Sequence, residues 1–178
     1  MEARLEQTPG GLAPATEGWF VVNVRDSSWV TSPVLGDAGV FESEHLAPWP
    51  QLGFTIGVLQ PGQSGGRYHG ESNQEDFLVL HGECLLLIES QARRLKAWDF
   101  VHCPPWTEHS FVGAGDGPCA IFMTGARTRE HAVVYPRNEL ALRHGAGVEE
   151  ATSVPKEAYA PYPRWEPGRP SFDGLPWA

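Results

Sequence analysis

Four side chains in this sequence could do chemistry together. His69 and Glu71 stand two apart in the run His-Gly-Glu-Ser-Asn-Gln-Glu, Glu75 ends that run, and His109 closes a second segment, Pro104-Pro105-Trp106-Thr107-Glu108-His109. Residues two apart on a strand point to one face, so His69 and Glu71 are expected side by side. Gly70 between them permits close backbone approach. The polar turn residues after Glu71 could return Glu75 to the same spot as a third ligand. Imidazole nitrogen with carboxylate oxygen suits a divalent metal: Fe(II), Mn(II), Ni(II), Co(II) or Zn(II). The bland reading is an ordinary surface histidine at position 69 and a solvated Glu71, or one paired with Arg67.

Such a constellation needs rigid walls, and the surrounding sequence supplies strands. Phe54–Leu59 reads as one, stopped by Pro61-Gly62. Phe77–Leu80 and Cys84–Ile88 read as two more, joined at His81-Gly82-Glu83, and others follow at 98–103, 109–112 and 119–124. Turns recurring every eight to twelve or so residues indicate an all-β sandwich or barrel. The stiff Pro104-Pro105 pair fixes where His109 begins its strand. Upstream, 18–25 is rich in aromatic and β-branched residues and is expected as a strand, with a further short one around Val40-Phe41-Glu42. Residues 1–17 are expected as a disordered leader. After Arg127 the character changes. Asn138–His144 before Gly145 fits a short helix with a glycine stop. Residues 155–178 combine prolines with Tyr159, Tyr162, Trp165, Phe172 and Trp177, too aromatic for a disordered tail. The 127–178 extension is therefore expected to dock on the 18–126 barrel or on a partner subunit.

The 178 residues carry a formal charge of −9, which disfavours a nucleic-acid partner because phosphate backbones call for clustered Lys and Arg. Cys84, Cys103 and Cys119 form neither a disulfide framework nor a zinc-finger spacing. No apolar run is long enough to span a bilayer, so no membrane partner is expected and a cytoplasmic location is the default.

With these residues in place, the chain resembles the cupin superfamily, whose two motifs frame a metal site in a double-stranded β-helix, or jelly roll. His69, Glu71, Glu75 and Gly82 fall on the positions of the first motif. Trp98, Pro104, Trp106, His109 and Gly113 fall on those of the second. The resemblance covers about residues 54–125. Three departures stand out: Glu71 replaces the usual second histidine, two motif glycines are Trp98 and Trp106, and the motif asparagine is Gly113. The resemblance implies an all-β barrel with a mononuclear divalent metal (Fe, Mn, Zn or Ni) held by His69, Glu71, Glu75 and His109. Alternatively Glu71 does not ligate. The remaining two histidines and one carboxylate would then form a facial triad with open positions, with Glu71 as a catalytic base beside it.

The expected substrate pocket is lined by Phe77, Phe100, His102, Cys103, Trp106 and Phe111. His102 and Cys103 alternate, so at most one of them points inward. The barrel interior is expected to hold Phe54, Ile56, Phe77, Val79, Leu85, Leu87, Phe100, Phe111 and Phe122, or their alternating neighbours. The leading functional expectation is an enzyme acting on a small organic substrate, with dioxygenation at Fe(II) favoured. A metal-dependent isomerase or lyase and a non-catalytic ligand-binding module are the alternatives. A homodimer is expected by analogy with small cupins.

Overall fold

The computed structural model describes residues Met1–Trp177. In chain order the strands are β1 (Leu5–Thr8), β2 (Gly11–Pro14), β3 (Ser28–Ser32), β4 (Gly36–Val40), β5 (Leu52–Leu59), β6 (Gly70–Glu71), β7 (Glu75–His81), β8 (Glu83–Ile88), β9 (Gln91–Lys96), β10 (Phe100–Cys103), β11 (His109–Ala114), β12 (Cys119–Ala126) and β13 (Val133–Val134). Two short helices, α1 (Glu139–Arg143) and α2 (Pro155–Ala158), and β14 (Glu166–Pro167) complete the chain. The chain is mostly β, as expected, with only two short helices among the described residues.

A seven-stranded antiparallel sheet, ordered β10-β7-β12-β5-β4-β3-β14, faces a three-stranded sheet, β11-β8-β9. Two backbone bridges, Ser64 to Val112 and His69 to His109, stitch the loop between β5 and β6 onto β11. The core between the sheets holds Leu59, Phe77, Val79, Cys84, Leu86, Val101, Cys103, Phe111, Cys119 and Ile121. Gly82 makes the β7–β8 hairpin possible: its φ is +70°, and a Cβ there would meet the Pro118 carbonyl at 2.4 Å.

The interior takes one phase of each strand, and the sequence reading had partly chosen the other. Phe77, Val79 and Phe111 do face inward. Ile56 and Phe122 lie on the outer face of the large sheet around Trp29, and Leu87 packs under the C-terminal segment with Tyr68 and Ala141. That outer face is covered by Val24, Phe41, Phe172, Leu175 and Trp177, so both sides of β5 and β12 are apolar.

Both flanks differ in part from expectation. Residues 1–17 are not a structureless leader: β1 and β2 form a hairpin, tied to the body by Leu12 N–H donating to the Asp26 carbonyl (2.8 Å) and Trp29 N–H to the Gly10 carbonyl (3.0 Å). Residues 18–25 contain no strand. Their apolar side chains lack a partner strand, and Trp19 and Val21 stand exposed. In the extension, Asn138 caps α1 by accepting from the Leu140 and Ala141 N–H groups, and Gly145 follows at φ +71°. The later part returns to the barrel: β14 pairs with β3, and Trp165 Nε1–H donates to the Gly36 carbonyl at 3.2 Å.

Candidate metal centre

His69 and His109 are cross-strand neighbours. Each N–H donates to the other's carbonyl, at 3.1 Å from His69 and 2.8 Å from His109. The exchange puts both imidazoles on the same side, with ring centroids 5.0 Å apart. Each Nδ1 lies against a carbonyl oxygen: His69 against Arg67 at 2.8 Å, His109 against Thr107 at 2.9 Å. A carbonyl only accepts, so both Nδ1 atoms carry the proton and both Nε2 lone pairs are free. They converge on Glu75, the first residue of β7, whose Oε2 is 3.4 Å from His109 Nε2 and 3.8 Å from His69 Nε2. The three donor groups lie within 4.8 Å of one another.

These contacts are not ion pairs at neutral pH. Burial pushes the His109 imidazolium down to about 4, with His69 adding to the effect, and burial also lowers His69. Burial, reinforced by Glu71, pushes the Glu75 carboxyl up to about 8. Burial thus favours the uncharged form of each group, two neutral imidazoles beside a carboxyl. That donor set fits a divalent ion.

Neighbouring elements lock the geometry. Phe77 stands edge-on to His109 at 5.1 Å and packs on Phe111 at 4.8 Å. Behind His69 lies Tyr135, its ring 5.9 Å away and its phenol pushed up to about 12 by burial. The turn into His109 closes with Thr107 N–H on the Pro104 carbonyl and Trp106 N–H on the Glu71 carbonyl. Trp98 and Trp106 both adopt left-handed backbone, φ +76° and +70°. These are the two motif positions where glycine is usual, which explains the family's preference by conformation alone.

Glu71 lies beside the triad rather than in it. Its Oε2 is 3.0 Å from His131 Nε2, and it pairs with neither the other donors nor Arg67. A cavity of about 600 Å³ reaches the triad at Glu75 and is lined by Glu71, Phe77, His131, Asn73, Phe54, Thr55, Met123 and Arg127, among others. Arg127 is clamped at its rim by Glu42, through Nη1 at 2.8 Å and Nη2 at 2.6 Å.

Of the expected pocket residues, Phe77 lines this cavity. Phe111 and Cys103 sit deeper in the core, where burial pushes the Cys103 thiol up to about 12. Phe100 points to solvent with 65% of its surface exposed, and His102 pairs outside the barrel with Asp76 at 2.6 Å. Trp106 is half-exposed at the turn and lines no part of the cavity. Strand alternation is the reason: Val101 and Cys103 take the inward phase of β10, which leaves Phe100 and His102 outside. His131, Tyr135, Asn73 and Met123 were not anticipated. His131 and Tyr135 reach the site through β13 pairing with β6 and Met123 through β12, which no local spacing signals, while Asn73 sits in the turn between Glu71 and Glu75.

A family model for the cupin domain matches residues 55–125. Those residues form a cupin domain. Among solved structures, the polyketide cyclase RemF from Streptomyces resistomycificus is similar at a TM-score of 0.54, with 13% identity over 64% of this chain and 84% of that one. A predicted oxalate decarboxylase from Thermotoga maritima gives 0.50, with 20% identity over 61% of this chain and 100% of that one. A putative sugar phosphate isomerase from Acidithiobacillus ferrooxidans gives 0.46, with 26% identity over 48% of this chain and only 56% of its own. The first two likenesses establish the fold. Among curated proteins, none matches the chain.

Proposed function

We propose that this cupin is a metal-dependent enzyme that acts on a small organic substrate at one divalent ion held by His69, Glu75 and His109, with dioxygenation at Fe(II) the favoured chemistry. The observation that carries the proposal is the convergence of two unprotonated Nε2 atoms on the Glu75 carboxyl, which itself lines a cavity about 600 Å³ in volume. Two histidines and one carboxylate are the ligand set of non-haem Fe(II) oxygenases, and they leave coordination positions open. A bound ion would supply Lewis-acid and redox chemistry toward chelated substrate and dioxygen.

The chain's own residues do the rest. Phe77 and Met123 give the substrate an apolar wall beside the triad. Glu71, held at the cavity edge by His131 Nε2 at 3.0 Å, is placed to serve as a general base toward a substrate hydroxyl. Elemental analysis of the as-isolated protein tests the ligand set. Near-stoichiometric iron or another divalent metal is expected in the wild type, with loss in His69→Ala and His109→Ala. Unchanged metal content in both variants would remove the reading. Oxygen uptake with the iron-loaded protein then tests the reaction class.

The reading includes a homodimer. It is supported by the free edge of β10, where Phe100 and the neighbouring Trp98 stand 65% and 76% exposed. Light scattering should give twice the chain mass for the wild type and the monomer mass for Phe100→Lys.

A further inference from the structure

We infer that Arg67, gripped by the C-terminal segment 145–162, is a positioning residue for His69. The inference rests on the metal reading above. Arg67 lies two residues before His69, and its carbonyl is the acceptor for His69 Nδ1–H at 2.8 Å. The Arg67 backbone is in turn held by the segment, its N–H donating to the Tyr159 hydroxyl at 3.1 Å.

The side chain is 6% exposed. Nε donates to the Ala158 carbonyl at 2.9 Å, and Nη1 donates to the Gly147 carbonyl and to the Tyr162 hydroxyl, the latter at 2.7 Å. The guanidinium lies 4.0 Å from the centre of the Tyr162 ring. The Tyr162 hydroxyl donates in turn to the Gly145 carbonyl at 2.9 Å. The next residue, Tyr68, donates its N–H to the Ala146 carbonyl at 2.8 Å. Among the described residues no carboxylate lies within 4 Å of this buried cation.

Every hydrogen-bond partner of Arg67's side chain thus comes from one stretch of the extension. A second contact follows the same route: Tyr159 stands edge-on to Tyr135 at 6.0 Å, and Tyr135 lies against His69. The segment therefore bears on His69 twice, at Nδ1 through the Arg67 carbonyl and at the ring through Tyr135. An imidazole held in this way keeps one tautomer and aims its Nε2 lone pair. Outer partners of this kind are worth about 10–100-fold in metal affinity.

Two variants test the inference, with Co(II) as the probe. Arg67→Lys keeps the charge but loses the three-way grip. Tyr159→Phe keeps the ring and removes only the hydroxyl that accepts from Arg67 N–H; it carries the test alone if Arg67→Lys does not fold. Expected are a Co(II) Kd raised by about 10–100-fold in the lysine variant, a smaller rise in the phenylalanine variant, and altered d–d bands in both. In the metal-free protein, long-range ¹H–¹⁵N correlations of His69 should change from a single Nδ1–H form to a mixture of tautomers. Variants that melt earlier yet keep the wild-type Kd, d–d bands and single tautomer would assign the segment a purely structural role and overturn the inference. A wild type with a fixed tautomer that shifts in the variants, but with no affinity for Co(II), would leave positioning intact and sink the metal reading instead.

Discussion

Glu75 carries the proton that an incoming cation must displace. Its folded value of about 8 lies above the ordinary 4.5, so the folded chain keeps this proton through a range where the unfolded chain has lost it. Stability from this group is therefore full below 4.5 and falls as pH rises toward 8. His109 acts in the opposite sense: its folded value of about 4 lies below the ordinary 6.5, so its contribution falls as pH drops from 6.5 to 4. Above neutrality only Glu75 of the two still titrates. The unfolding midpoint of the metal-free protein should decline between about pH 7 and 8 in the wild type and much less in Glu75→Gln, measured by circular dichroism. Metal binding has the converse dependence. Affinity should rise about tenfold per pH unit up to about pH 8, with one proton released, as read by calorimetry in buffers of different ionisation enthalpy. At this scale the sequence was informative where spacing is local. His69, Glu75 and His109 could be picked out by type and interval. The pairing of Glu71 with His131 could not, because sixty residues separate them and a two-residue strand pair sets their meeting.

Elements succeed or fail by the polarity of their faces. β5, β7 and β8 are apolar at successive positions because the large sheet packs on both sides and the small sheet has the extension behind it, so alternation offers no phase to read. That is why Ile56, Leu87 and Phe122 were expected inside and lie outside. β9 went unseen for the opposite reason: Gln91–Lys96 is largely polar and exposed, and it is a strand through its pairing with β8. The two tryptophans in glycine slots give an element-scale test. Trp98 is strained by left-handed backbone and makes little packing in return. Left-handed geometry costs a non-glycine residue about 1–2 kcal/mol, and glycine's extra unfolded freedom offsets about 0.5–1 of that. Compared in the monomeric Phe100→Lys background, Trp98→Gly should therefore stabilise the chain by up to about 1.5 kcal/mol in urea titrations, with the m-value unchanged.

At the scale of the molecule, the jelly roll was legible from strand rhythm and the two motifs, while the flanks were legible only in composition. Aromatic content marked 155–178 as a docking segment, and the structure packs Trp165, Phe172 and Trp177 against the barrel's own sheets. The same criterion misread 18–25, where apolar residues meet no partner strand, and 1–17, where a polar hairpin is held by backbone bonds that composition does not reveal. The three donors come from three places in the fold: His109 opens β11 in the three-stranded sheet, Glu75 opens β7 in the seven-stranded one, and His69 lies in the loop before β6 that bridges onto β11. A cation there would act as a rivet through all of them. At a hundredfold excess over Kd it should add about 2.7 kcal/mol to global stability. It should also slow amide exchange at β7 and β11 together, and a chelator should undo both effects at once. The ion's presence would be felt as cohesion along the seam where the layers meet, well before any substrate arrives.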